Sequence, residues 1–302
     1  KDPIPEQHFQ NSIGMKLRWI PKGSFRQGSH DKEIARDTNE CPKHEVTFKE
    51  GFWMGQFEVT QEEWAKIQAP LTNKFKGPRR PVDSATHSAA TTFCRLLTEH
   101  ERAARHLSTQ YTYALPTESQ WEYACRAGTT TAFHAPATAH TAHAAAAATL
   151  KSRNDTYIPA LDKIAWYRFS HKNDPTEWDE EKWPADLYPA IHEGTRPVGL
   201  KAPNNWGLHD MLGNIYEWVR EPFHFGYKKA PTDGSAWFGR GSREFILRGG
   251  GFNQRPRYLR CATRLRPYST KDPAGFRLVI VPVPPMAAGP ALRLRDRDPA
   301  LH

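Results

Sequence analysis

Cys41, Cys94, Cys125 and Cys261 are the four thiols of the 302-residue chain, and thiols can serve as nucleophiles, redox groups or soft-metal ligands. No Cys-x-x-Cys pair occurs and the spacing is not that of a metal cluster, which argues against a cysteine-built zinc site. Four cysteines permit no, one or two disulfides, and spacing alone does not choose among them. Cys261 lies in "LRGGGFNQRPRYLRCATR" (247–264), a stretch dense in glycine and arginine. The histidines of "HAPATAHTAHAAAAATL" (134–150) are weak metal ligands, since His134, His140 and His143 have no acidic neighbour in an alanine-rich tract that reads as a helix or loop. Glu58, Glu62 and Glu63 precede and open a helical pattern, where capping and solvation are expected rather than catalysis. Ser-His-Asp, P-loop and dinucleotide signatures are absent from the sequence.

The body that must position these groups reads as a folded but irregular globule. Apolar residues make up 38% and aromatics 12%, too much for wholesale disorder, while 20 glycines and 25 prolines favour loops over a helical bundle. The net charge is +9, but the basic residues are scattered without a run of five, so nucleic acid is not the expected partner. A basic surface meeting an acidic protein or glycan fits better. No run of 18 apolar residues exists, which excludes a helical membrane span on sequence grounds. The opening "KDPIPEQ" has no apolar signal region and fits a mature secreted form or a trimmed chain.

Alternating residues 15–29 predict a hairpin, and 44–60 a second strand pair. Thr60 predicts a cap for a helix over 60–68, and Ser84 one for an amphipathic helix over 84–107. "TESQ" (117–120) is a capping box for a short helix stopped at Gly128. Between 151 and 246 the chain is aromatic and turn-rich, with Trp166, Trp178, Trp183, Trp206, Trp218 and Trp237. Residues 1–10 read as an N-terminal extension, 11–281 as one domain, and the proline-rich 282–302 as an extended or disordered tail.

Five ordered segments carry a resemblance: "GMKLRWIPKGSFRQGS", "FWMGQFEVTQEEW", "LPTESQWEYACRAGT", "NNWGLHDMLGNIYEW" and "LRGGGF…LRCATR…AGFRLV". Together they resemble the formylglycine-generating enzyme (sulfatase-modifying factor) family. The resemblance implies an α+β, irregular, loop-rich single domain, a variant of the C-type lectin fold. In catalytic members two cysteines after the glycine run bind copper; here Gln254 stands at the first position and the shortened loop has no second cysteine. A glutamine amide cannot replace a thiolate at Cu(I), so neither copper nor formylglycine-type oxidation is expected. An iron-dependent sulfur-transfer branch is similarly disfavoured, because no His-x-x-x-His-x-Glu pattern is present.

The resemblance also implies a Cys125–Cys261 disulfide, with Cys41 and Cys94 unpaired or buried. It places a calcium site at Asp210, Gly213, Ile215 and Glu217, where carboxylates and turn carbonyls suit a hard cation. A second site would lie near Asn154, and His209, at a variable position of the family, is expected at the surface. With the copper cysteines missing, the implied role is non-catalytic: an extracytoplasmic (periplasmic or secreted) protein-binding regulator or accessory factor. One such group acts in type VI secretion upstream of a membrane kinase, whose periplasmic part would be the partner. Trp237, Phe238, Phe252, Asn253, Gln254, Arg255, Arg257 and Tyr258 are the expected binding surface, of residue types enriched at hot spots. A metal-dependent oxidoreductase on the same fold and a variable lectin-like receptor are the alternatives.

Overall fold

The structure is a computed structural model that describes residues 8–134, 158–168, 170, 194–239, 243–267 and 273–283. Its central element is a five-stranded antiparallel sheet. Strands β1 (His8–Gln10), β2 (Lys16–Ile20), β5 (Phe52–Gly55), β10 (Val279–Pro282) and β6 (Tyr111–Ala114) lie in that spatial order. β3 (Gly23–Gln27) and β4 (His44–Phe48) make a separate ribbon, and β7 (Tyr216–Pro222) lies between β8 (Phe245–Arg248) and β9 (Ala274–Gly275). Four helices complete the described regular structure, apart from short 3-10 turns: α1 (Gln61–Ala65), α2 (His87–Ala103), α3 (Glu118–Arg126) and α4 (Pro159–Asp162). The mixed α and β content agrees with the α+β class expected from the sequence.

Side-chain alternation along the central sheet feeds two cores. Val279 and Met54 pack with Trp121 and Ala124 of α3. Leu278, Ile280 and Leu17 pack with Phe93 and Leu97 of α2. Helices therefore cover both faces of the sheet. Residues 8–10, assigned to an extension by sequence, form β1 and pair with β2.

The hairpin expected over 15–29 does not form. β2 pairs with β1 and β5, whereas β3 pairs with β4. Favoured two-residue hairpin turns need positive φ at their first position, and Pro21, locked near −65°, cannot supply it. The 44–60 pair likewise separates, with β4 joining the ribbon and β5 the central sheet. Local capping is closer to expectation. Thr60 and Glu63 form a reciprocal capping box, and so do Thr117 and Gln120. α2 is capped by Thr86 rather than Ser84, whose hydroxyl donates to Asp83 instead.

His87 ties the start of α2 to the three-stranded sheet. Its ring stacks on Phe245 at 3.4 Å and its Nε2 lies 3.0 Å from the Val219 carbonyl, which makes Nε2–H the donor. Burial pulls this imidazole down to about 4. The unfolded chain takes up the proton first, so the contribution is intact above about 6.5 and lost as pH falls through about 4. The loss is on the order of 3 kcal/mol. In chemical denaturation between pH 7 and pH 4, His87→Phe should show a shallower acid limb, and an unchanged limb would refute the assignment.

Candidate functional site

The glycine loop is built on buried arginines. Arg248, at the end of β8, donates to Glu122 at 2.6 Å and to the carbonyls of Cys261, Ala262 and Thr263. Its guanidinium lies 5.1 Å from the Trp121 ring centroid. Glu122 also accepts from Arg126 and from the Gly28 amide. Burial pushes its carboxyl up, but Arg126 and Arg248 outweigh that and hold it below its ordinary value. Arg264 binds Glu118 with two hydrogen bonds, and Arg260 binds Glu40 likewise while also reaching Glu33. These arginines are scaffold, not surface. Sequence reading assigned them no role, because only their distant carboxylates reveal it.

Cys125 of α3 and Cys261 face each other with sulfurs 3.5 Å apart, both fully buried. The fold thus brings together the two cysteines expected to pair. Cys94 is buried, with its thiol pushed up to about 12 by burial, and Cys41 is half-buried.

The turn before β7 gathers Glu58, Asp210, Asn214, Glu217 and Arg277. Arg277 forms a bidentate pair with Glu217, at 2.7 and 2.8 Å, and Trp121 Nε1 donates to the same carboxylate. One oxygen of Asp210 accepts from Gly199 N at 2.7 Å, and the other is buried without a partner. Glu58 accepts from Asn214 Nδ2 and likewise keeps one buried, unpartnered oxygen. Burial raises Asp210 to about 6; burial and then the charges of Asp210 and Glu217 raise Glu58 well above its ordinary range. Three carboxylates therefore face one guanidinium, an excess of negative charge that protons or a cation must balance.

Donor chemistry at this turn fits a hard cation in part. Asp210 has an oxygen to give, whereas Glu217 is already held by Arg277 and Trp121. Among the described residues no three His, Cys, Asp or Glu side chains converge as a metal-binding group, so a cation here would depend on backbone carbonyls such as those of Gly213 and Ile215. Two expectations for this region need correction. Glu58 does not cap a helix but is fully buried beside Asn214. His209 is not a surface side chain; it is half-buried, with its ring 5.1 Å from Phe57 and Nδ1 against the Lys201 carbonyl. Burial lowers its pKa. His134 is buried, while His140, His143, Trp178, Trp183, the second calcium region near Asn154 and the tail beyond residue 283 lie outside the described residues.

The expected binding surface falls into two groups. Trp237 stacks on His224 at 3.9 Å and Phe238 lies over Arg220, both at the C-terminal end of β7. Phe252 instead packs edge-on against Phe75, and its amide binds the Asn214 carbonyl before β7 begins. The length of β7, roughly 20 Å at strand rise, separates the groups. Asn253, Arg255 and Tyr258 are exposed beside Phe252, with Gln254 and Arg257 half-buried.

A five-stranded sheet with helices on both faces and a buried arginine frame beneath an irregular glycine-rich loop define an α+β scaffold of the formylglycine-generating-enzyme type. The chain belongs to the sulfatase-modifying factor enzyme 1-like domain family, which it matches over residues 5–281. It is 29% identical over 200 residues to "Chaperone protein LppX" of Paenibacillus barcinonensis, covering 56% of this chain and 62% of that protein. Identity to the mouse formylglycine-generating enzyme is 24% over 315 residues, covering 87% and 74% respectively. Among solved structures, PvdO from Pseudomonas aeruginosa superposes with a TM-score of 0.69 at 24% identity, covering 92% of this chain and 99% of that one. Treponema denticola variable protein 1 gives 0.63 at 20% identity, with the same coverage. No described helix is long and apolar enough to cross a membrane.

Proposed function

We propose that this chain is a non-catalytic member of its family, an extracytoplasmic protein-binding regulator or accessory factor. The observation that carries the reading is the fate of the thiols around the glycine loop. Gln254 stands at the first copper-cysteine position, and Cys261 is buried against Cys125. Without thiolates the loop has no ligands suited to Cu(I), the metal that soft sulfur donors select. The name of the Paenibacillus relative, a chaperone protein, supports a role in binding proteins. A periplasmic address, an oxidised Cys125–Cys261 pair and action on a membrane kinase in type VI secretion belong to the same proposal.

Calcium is the one metal proposed. Asp210 would hold it with the carbonyls of Gly213 and Ile215, and Glu217 would join by sharing a carboxylate already bound by Arg277. Bound calcium would supply the positive charge that the Glu58–Asp210–Glu217 group lacks.

Purified protein incubated with Cu(I), oxygen and a cysteine-bearing peptide should form no aldehyde. Metal analysis should find calcium alone, with thermal unfolding raised by calcium over chelator and unresponsive in Asp210→Asn. Stoichiometric copper or iron with peptide oxidation would overturn the non-catalytic reading and favour the oxidoreductase. A calcium-blind unfolding curve would remove the calcium proposal.

A further inference from the structure

The Phe75–Phe252 contact joins two loops that are far apart in sequence, and both are basic. Residues 71–80 and 251–260 hold no aspartate or glutamate and seven lysines and arginines, of which Arg80 and Arg260 are buried and Arg260 is paired with Glu33 and Glu40. Lys74, Lys76, Arg79 and Arg255 are exposed. The rings of Phe75 and Phe252 lie 5.2 Å apart, edge to face, so the two loops touch.

Both loops are held from behind. Buried Asp83 accepts from the amides of Lys74 and Phe75, at 2.9 and 2.8 Å, and its charge is turned inward onto the backbone. Gln61 accepts from the Gly77 amide and donates to the Phe75 carbonyl. On the second loop, Phe252 N binds Asn214 O and Gln254 O binds Arg168 N, at 2.9 and 3.0 Å. Such clamping lowers the ordering cost of binding.

We propose that these two loops form a preorganised docking surface for an acidic segment of a partner protein. The inference rests on the non-catalytic binding reading above and names the chemistry of its partner. Charge complementarity selects an acidic partner. The exposed Asn253 amide and half-buried Gln254 can pair with a peptide backbone beside the cations. Single-stranded nucleic acid would need open aromatic faces for stacking, but Phe75 and Phe252 are half-buried against each other. A lipid surface would need an exposed apolar or amphipathic element beside the charge; these loops offer Tyr258, which is 37% exposed.

The test is fluorescence anisotropy with a labelled glutamate-rich peptide bearing interspersed leucines. Binding should weaken by roughly tenfold or more as ionic strength rises and screening shortens the reach of the charges. The double variant Lys76→Glu/Arg255→Glu should weaken it at least about tenfold. Lys228→Glu/Lys229→Glu makes the same change in net charge at exposed positions beyond the far end of β7, and should weaken it no more than about twofold, since only local charge counts. All four positions are exposed, so both variants should keep the parent's unfolding temperature. Equal weakening by the two variants, no peptide binding, or tighter binding of an equally charged oligonucleotide or of phosphatidylserine vesicles would overturn the proposal. A natural partner captured equally by parent and Lys76→Glu/Arg255→Glu would remove this surface and leave the regulator reading standing. Copper-dependent peptide oxidation would remove that reading while peptide binding could still be measured.

Discussion

Glu122→Gln is expected to cost about 3–5 kcal/mol of unfolding free energy, the usual loss when one partner of a buried ion pair is removed. Glu122 is wholly buried between Arg126 and Arg248, which are also buried. An amide keeps the shape and can still accept from Gly28, but it leaves two guanidiniums whose other described carboxylates are already engaged: Glu118, 3.5 Å from Arg248, is bound by Arg264, and Glu33, which acts on Arg126, is bound by Arg260. At about 2–4 °C per kcal/mol for a large domain, the unfolding midpoint should fall by roughly 10 °C. Adding Arg126→Met should return part of the loss, because it removes one of the stranded charges. A loss below about 1 kcal/mol at pH 7 would mean that solvent reaches the network, since exposed pairs are worth no more than that.

Gly213→Ala tests the turn that carries Asp210 and Glu217. Gly213 has φ of +84°, and an added Cβ would sit 2.1 Å from the Trp166 carbonyl oxygen. That carbonyl accepts the Asn214 amide, so it cannot move aside without breaking the Trp166–Gly213 bridge. Gly128 provides the control, with φ of +86° but nothing within 4 Å of an added Cβ. Gly128→Ala should cost about 1 kcal/mol, the conformational penalty alone. Gly213→Ala should cost about 4 kcal/mol or more, the excess coming from overlap with fixed backbone. Calorimetry of the two variants side by side separates these effects, and equal losses would refute the steric account.

The part of the fold that sequence revealed is the part governed by neighbours. Thr60 with Glu63 and Thr117 with Gln120 cap helices as expected, since a capping box needs only residues three apart. α3 turns left-handed at Ala127 and Gly128, where a stop was expected. The ordered motifs pointed to the family that the match over residues 5–281 shows. Strand pairing was less legible, because β2 and β3 look like a hairpin until Pro21 is weighed as a turn residue.

The candidate site was legible in its residues and not in its surroundings. The family resemblance singled out Asp210 and Glu217 as the residues to watch, but the hold of Arg277 on Glu217 spans 60 residues and no local pattern shows it. Sequence likewise identified Cys125 and Cys261, while tertiary structure set their sulfurs face to face across 136 residues. Along the chain the lysines and arginines look scattered. Folding sorts them into two chemical roles. Arg248, Arg260, Arg264 and Arg277 are buried on carboxylates and hold the scaffold together. Lys74, Lys76, Arg79 and Arg255 stay exposed on the two loops that the Phe75–Phe252 contact joins. Residue type and short spacing determined the helix caps and the ordered motifs of the family, because these depend on chemistry within a few residues. Only the tertiary structure decided which charges are neutralised and which stay in solvent, because a charge's energy depends on its burial and on carboxylates supplied from distant parts of the chain.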